Sequence, residues 1–163
     1  MYKRIVVPLD GSKLAECVLP HAEDIAKGCG TEELILVTVT ERIVGSSMKY
    51  VTQPIAGVPP LQPEIKIPVS VGKKQKQGER YLNRIANGLR KKGLRVRTEV
   101  LLGHPAEEIV TFAKDNKADL ILIASHGRSG VSRWVVGSVA ERIFRGTRLP
   151  VMMVRVPGAA IDA

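Results

Sequence analysis

Aromatic residues are scarce in this chain: one Trp, three Tyr and two Phe. The stretch "KKQKQGERYLNRIANGLRKKGLRVR", residues 73–97, holds only one of them, Tyr81. It therefore offers no surface on which successive bases could stack. The same stretch is nearly devoid of acid, with ten Lys or Arg against Glu79 alone, inside a chain whose formal net charge is +9. Such a run can meet phosphates, but its plainer reading is the solvated outer face of a surface helix. Nucleic acid is not an expected partner, and a mixed-sequence DNA gel shift at physiological salt should show no band.

Long apolar runs are also missing. "LILV" and "LILIA" fall far short of the roughly 20 residues that cross a bilayer. The opening "MYKRIVVPLD" is too briefly apolar for a signal peptide, so the expected location is cytoplasmic, with no membrane partner. Cysteine is limited to Cys17 and Cys29. They have no CxxC spacing and no nearby His pair, so neither a metal site nor a redox motif is indicated. Two reduced thiols, at least one of them buried, are expected. No GxxxxGK[ST], no GxGxxG after the first strand and no GxSxG is present, which argues against a Walker-type NTPase, a dinucleotide-binding domain and a hydrolase elbow. Paired carboxylates and a nucleophile with its base are absent too. His21 and His104 look structural, and no His pair has a metal-ligand spacing.

What is there is a regular alternation of strand-like and helix-like segments. At 163 residues and 44% hydrophobic, one domain with a substantial core is expected. "RIVVPL" (4–9), "ELILVTV" (33–39), "LRVRTEVLL" (94–102), "DLILIA" (119–124) and "LPVMMVR" (149–155) read as strands. Most are continuous apolar runs, as in a parallel sheet buried on both faces. Helical spacing joins Leu14, Val18, Ala22 and Ile25, with Ser12 as a cap and Gly28 and Gly30 as the stop. Pro20 lies inside that segment and predicts a kink or two short helices in series. Further helices are expected at 75–92, after Pro105 and from Ser138 to Arg145. Residues 42–72 lose periodicity and read as a flexible insertion, and 157–163 as a tail. The fold class is α/β, a doubly wound five-stranded parallel sheet with helices on both faces. Ligands of such sheets sit beyond the carboxyl ends of the strands, where strand order reverses.

Two segments at those ends stand out. After the fourth strand, "ASHGRSGVSRWVVGSVAER" (124–142) carries Gly127, Gly130 and Gly137, each able to take positive φ and admit a ligand close to the backbone. Ser138 then opens a helix, whose first amides have no internal partners and suit a phosphate. Arg128 and Arg133 add positive charge, and His126 borders the glycines. After the first strand, "PLDGS" sets Asp10 at the cleft mouth, where a carboxylate suits ribose hydroxyls, an adenine amino group or magnesium. Pro8 removes a donor there. Plainer readings stand beside these: turn formation for Gly127, Gly130 and Asp10, a helix cap for Ser138, packing for Trp134.

The chain resembles the universal stress protein family through "RIVVPLDGS", "GHPAEEIV", "DLILIASHGRSG", "GSVAERI" and "LPVMMVR", over residues 3 to about 156. The family's nucleotide-binding pattern, Gly-x2-Gly-x9-Gly-Ser/Thr, reads here as Ala124, Ser125, His126, Gly127, nine residues, Gly137, Ser138. Ala124 replaces the first glycine, and its methyl could crowd the closest backbone approach. The resemblance implies Pro8, Leu9 and Asp10 beside adenine and ribose, and Val39 against the base. It implies Gly127, Arg128, Gly137, Ser138 and Val139 around the phosphates. It also implies strand order 3-2-1-4-5, a single domain over residues 1–156, ATP or AMP with magnesium, and a homodimer through antiparallel pairing of Leu149 to Arg155. The expected function is a bound nucleotide acting as a signal, with at most slow hydrolysis since no base to activate water is evident. The alternative is a homodimeric interaction module of the same fold that holds no nucleotide. A nucleotide-activating transferase is disfavoured, for lack of an SGGxDS-type loop after the first strand.

Overall fold

The computed structural model describes residues 2–40, 69–125 and 137–155. The expected insertion lies largely, and the tail wholly, outside the described residues, as do His126, Gly127, Arg128 and Gly130. Five strands, β1 (Arg4–Pro8), β2 (Glu33–Thr40), β3 (Val96–Leu102), β4 (Leu120–Ala124) and β5 (Val151–Val154), form one sheet in the order β3-β2-β1-β4-β5. Every neighbouring pair is parallel. The helices are α1 (Val18–Cys29), α2 (Val69–Lys91), α3 (Pro105–Asp115) and α4 (Ser138–Gly146).

The alternation of side chains along each strand divides the core in two. Ile5, Val7, Leu34, Leu36, Leu120 and Leu122 face α1 and α2 and meet Val18, Ala22, Leu82 and Leu89. Val6, Ile35, Val37, Ile121 and Ile123 face α3 and α4 and meet Ala106, Ile109, Ala140 and Ile143. Both faces of the central strands are therefore apolar, and this is why they read as unbroken runs rather than alternating ones. Each fully buried Leu or Ile contributes about 1.5–3 kcal/mol relative to exposure.

Two short helices in series do occur near Pro20. A 3-10 turn, Ala15–Cys17, precedes α1. Pro20 falls in α1's first turn, where a missing N–H breaks no helical bond. Ser12 Oγ accepts from the Ala15 amide at 3.1 Å, but the residue that caps the 3-10 turn is Leu14 and that of α1 is Cys17, so Ser12 is not a helix cap. Gly30, at φ 62° and ψ 46°, closes α1 in the left-handed conformation. α2 starts at Val69 rather than near residue 75, so it absorbs the last residues of the expected insertion. It lies tight on the sheet: a Cβ at Gly78 would come 2.9 Å from the Thr38 methyl. Pro105 occupies the first turn of α3, with Glu107 and Glu108 beside its positive end. Cys17 and Cys29 are free thiols, both half-buried rather than one fully enclosed. Burial pushes the Cys17 thiol up, which favours its protonated form.

Candidate site at the carboxyl ends of β1 and β4

β1 and β2 stay paired through Pro8↔Val37, and the Leu9 amide donates to the Val37 carbonyl at 2.8 Å. On its other side, β1 pairs with β4 only at Ile5↔Leu120 and Val6↔Ile121. Pro8 has no N–H to extend a ladder, so the two strands part where strand order reverses. Asp10 follows at the mouth of this gap, half-buried. Its Oδ1 accepts from the Ser12 amide at 2.9 Å and from Ser12 Oγ at 2.6 Å. This turn needs Gly11 at φ 84°, and it holds the carboxylate in one orientation at the end of the strand.

The opposite wall begins at Ala124, the last residue of β4. The Ser125 amide donates to the Val154 carbonyl at 2.8 Å, and the Gly137 amide to the Ser125 carbonyl at 2.8 Å. That second bond ties the start of α4 back to the end of β4. The first intrahelical bond runs from the Glu141 amide to the Gly137 carbonyl, 3.0 Å. The amides of Ser138, Val139 and Ala140 precede it and have no acceptor within the helix.

Gly137 is the capping residue, at φ −55° and ψ 142°. That geometry is open to any residue, so the positive φ expected of it is not used. Ser138 is the first helical residue, not the cap, and it is exposed. Val139 is half-buried against the core on the α3 and α4 side, and Val39 packs against the same core from the end of β2. Pro8, Leu9 and Ala124 have buried side chains. The Ala124 methyl belongs to the core on the α1 side together with Leu9 and Ala15. The described residues thus bring Asp10, Val39 and the start of α4 to one end of the sheet. Pro8, Leu9 and Ala124 serve there through backbone and packing.

Behind Asp10 stands a group that sequence reading missed. Tyr81 of α2 is half-buried, and the Arg84 guanidinium stacks over its ring at 5.5 Å. Arg84 also pairs with Glu16 at 3.1 Å. The Tyr81 hydroxyl is buried and makes no hydrogen bond among the described residues. Burial, then the negative charges of Glu16 and Asp10, push its phenol well above the ordinary tyrosine range, while Arg84 opposes them. The hydroxyl therefore stays protonated beside two carboxylates. The available signal was Tyr81's position four residues before Ile85, on the margin of the apolar stripe of α2. Among the described residues no group of three or more His, Cys, Asp or Glu could hold a metal ion. Among the same residues no helix is long and apolar enough to cross a membrane.

Comparison with known proteins agrees with this architecture. The model of the universal stress protein family matches residues 1–155. Universal stress protein MJ0531 of Methanocaldococcus jannaschii is 33% identical over 157 residues, covering 96% of this chain and 84% of the relative. MJ0577 of the same organism is 30% identical over 161 residues, covering 95% and 96%. The solved MJ0577 structure superposes with a TM-score of 0.74 at 27% identity, over 97% of this chain and 99% of that one. More distant structures of the same fold include a universal stress protein in complex with cAMP, at 20% identity, TM-score 0.62 and 95% and 98% coverage. They also include an Arabidopsis thaliana family protein with AMP bound, at 15% identity, TM-score 0.62 and 98% and 97% coverage. With the family model spanning nearly the whole chain, and with the sheet order and the parted β1–β4 pair as described, this chain belongs to the universal stress protein family.

Proposed function

We propose that the chain is a cytoplasmic stress-response regulator that holds ATP, with magnesium, in the gap between β1 and β4. The observation that carries this reading is the pairing of two walls at one switch point. On one side Asp10 is fixed for sugar hydroxyls by its bonds to Ser12. On the other, the first amides of α4 are anchored to the end of β4 by the Gly137–Ser125 bond and suit a phosphate tail. Val39 supplies apolar surface for the base, and Gly127, Arg128, Gly130 and His126 complete the phosphate side by sequence. The Ala124 methyl packs in the core with Leu9 and Ala15, which supports a ligand approaching past it. Family members with AMP and cAMP bound support an adenine nucleotide as the ligand class. The nucleotide serves as a bound signal, hydrolysed slowly at most. Denaturing the purified protein should release ATP or AMP. Adding ATP at about 100 times its dissociation constant should stabilise the fold by about 2.7 kcal/mol, or about 5–10 °C in a chain of this size. No released nucleotide together with no thermal shift would refute this and favour the nucleotide-free interaction module.

The regulator acts as a homodimer through β5. Among the described residues this strand has β4 on one side only, and its Met152 and Met153 are 39% and 38% exposed. An apolar open edge of this kind invites pairing with a second copy. Met152→Glu with Met153→Glu should halve the mass seen by light scattering, and an unchanged dimer would refute the placement.

A further inference from the structure

The outer face of α2 differs from the outer faces of its neighbours. Lys73, Lys76, Arg80, Arg84, Asn87 and Lys91 follow at intervals of three, four, four, three and four residues, which places them on one stripe. All six are exposed, and Leu82, Ile85, Ala86 and Leu89 lie buried on the opposite side of the helix. The stripe runs about 27 Å at 1.5 Å per residue. α1 and α4 neutralise their exposed charges internally, through Glu23–Lys27 and Glu141–Arg145 at i,i+4. α2 does the reverse. Lys76–Arg80 and Arg80–Arg84 are like charges at i,i+4, a spacing that destabilises a helix by about 0.2–0.5 kcal/mol per pair. Among the described residues Arg84 alone of the stripe is matched, by Glu16. Among the described residues no ion pair engages Lys73, Lys76, Arg80 or Lys91. A helix that needed only solubility would mix its signs, as the other two do.

We propose that this stripe docks the sugar–phosphate backbones of duplex DNA without reading sequence. Charge complementarity selects a polyanion. Among the described side chains no exposed large hydrophobic belongs to α2, so the stripe from Lys73 to Lys91 has no apolar group to insert into a lipid surface. The buried aromatic or aliphatic anchor of a protein interface is missing as well. Among the described residues of the stripe there is no aromatic side chain to stack an unpaired base, which disfavours single strands. The B-form major groove, about 12 Å wide, admits a helix, whereas the A-form major groove of duplex RNA is too narrow. By sequence these residues read as a solvated run. The structure adds their alignment on one face, where Glu16 answers Arg84 and Glu79, one turn from Lys76, is the single acid of α2. Sequence-independent binding of this kind has a dissociation constant of about 10⁻⁴–10⁻⁶ M at physiological salt, compatible with the absence of a gel-shift band there.

The test is fluorescence anisotropy of a labelled mixed-sequence DNA duplex with the full chain at about 50 mM and about 200 mM salt. Wild type should bind at the lower salt and release steeply toward the higher. The triple variant K73Q/K76Q/R80Q should bind about tenfold or more weakly and flatten the log–log salt slope by about three. The charge-matched variant K114Q/K117Q/R148Q, on exposed positions elsewhere, should leave affinity and slope unchanged. Equal melting temperatures would show that both variants fold. Three results would overturn the proposal: no binding by wild type at low salt, equal losses in the two variants, or binding of duplex RNA or phosphatidylserine vesicles as tight as that of duplex DNA.

Discussion

Where the strands of the sheet begin, the chain is laced together. Asp119 Oδ2 accepts from the amides of Lys3 at 2.9 Å and Arg4 at 2.8 Å. The Lys3 carbonyl accepts from the amides of Glu32 and Glu33, and Thr31 Oγ1 donates to the Tyr2 carbonyl at 2.7 Å. Arg90 donates to the Val96 carbonyl from two nitrogens. Where the strands finish, β1 and β4 have parted, Asp10 is held by the amide and hydroxyl of Ser12, and α4 opens with amides that no helical carbonyl accepts. One end of the molecule uses its polar groups to join strands. The other gathers a carboxylate and helix amides beside a gap. In a parallel sheet this division follows from connectivity, because each crossover helix delivers its N-terminal dipole to the carboxyl end of the strands.

Substitutions at the two ends should separate binding from stability. The largest effect is expected for Gly137→Val. The backbone conformation there tolerates any side chain, so the melting temperature of the free protein should hold. ATP affinity should fall about 100-fold, equivalent to about 2.7 kcal/mol, as calorimetry can measure. Asp119→Ala should do the reverse. Losing two charge-assisted backbone bonds should cost about 2–3 kcal/mol, or about 5–10 °C, with ATP affinity unchanged. If Gly137→Val unfolds the protein, or Asp119→Ala weakens ATP, the division between the ends fails.

Two smaller effects depend on pH. Tyr81 is held protonated more firmly in the folded chain than in the unfolded one. Its contribution is therefore fully present below the ordinary tyrosine value of 10.0 and is lost as pH rises above it. The urea midpoint of wild type should fall more between pH 9 and pH 11 than that of Tyr81→Phe. The smallest effect belongs to the exposed Lys3–Glu32 pair, 2.9 Å apart. The bond to Lys3 lowers the Glu32 carboxyl below its ordinary 4.5, so its contribution exists above that value and fades as pH drops through the folded value. Any difference between wild type and Glu32→Gln at neutral pH should shrink as pH falls below 4.5 and in high salt.

The strands were legible because central positions such as Ile5 to Val7 and Leu34 to Val37 are buried on both sides, and burial of that kind leaves an unbroken apolar signature. The break before Pro20 was legible because proline rules are local. The first turns of α2 were not. Val-Ser-Val-Gly at 69–72 looks like loop, and its helicity comes from the segment that follows. At the site, Asp10 and Gly137 were found from chain order, since both flank the ends of apolar runs. The conformation of Gly137 was not, because glycine permits every φ and so announces none. Asp119 read only as the first residue of a strand, and Tyr81 as a lone aromatic. Their roles depend on partners more than 60 residues away, at Arg4 and Glu16, a separation that local patterns do not encode.

The meeting of β1 with β4 at only two register pairs, against seven between β2 and β3, has a mechanical consequence. The sheet consists of two slabs, one of three strands and one of two, riveted along a short seam. A molecule that grips Asp10 on the first slab and the start of α4 on the second adds a new rivet where the seam is weakest. Its arrival would be felt as a stiffening of the joint between the slabs, with slower hydrogen exchange along β4, and no element would have to move.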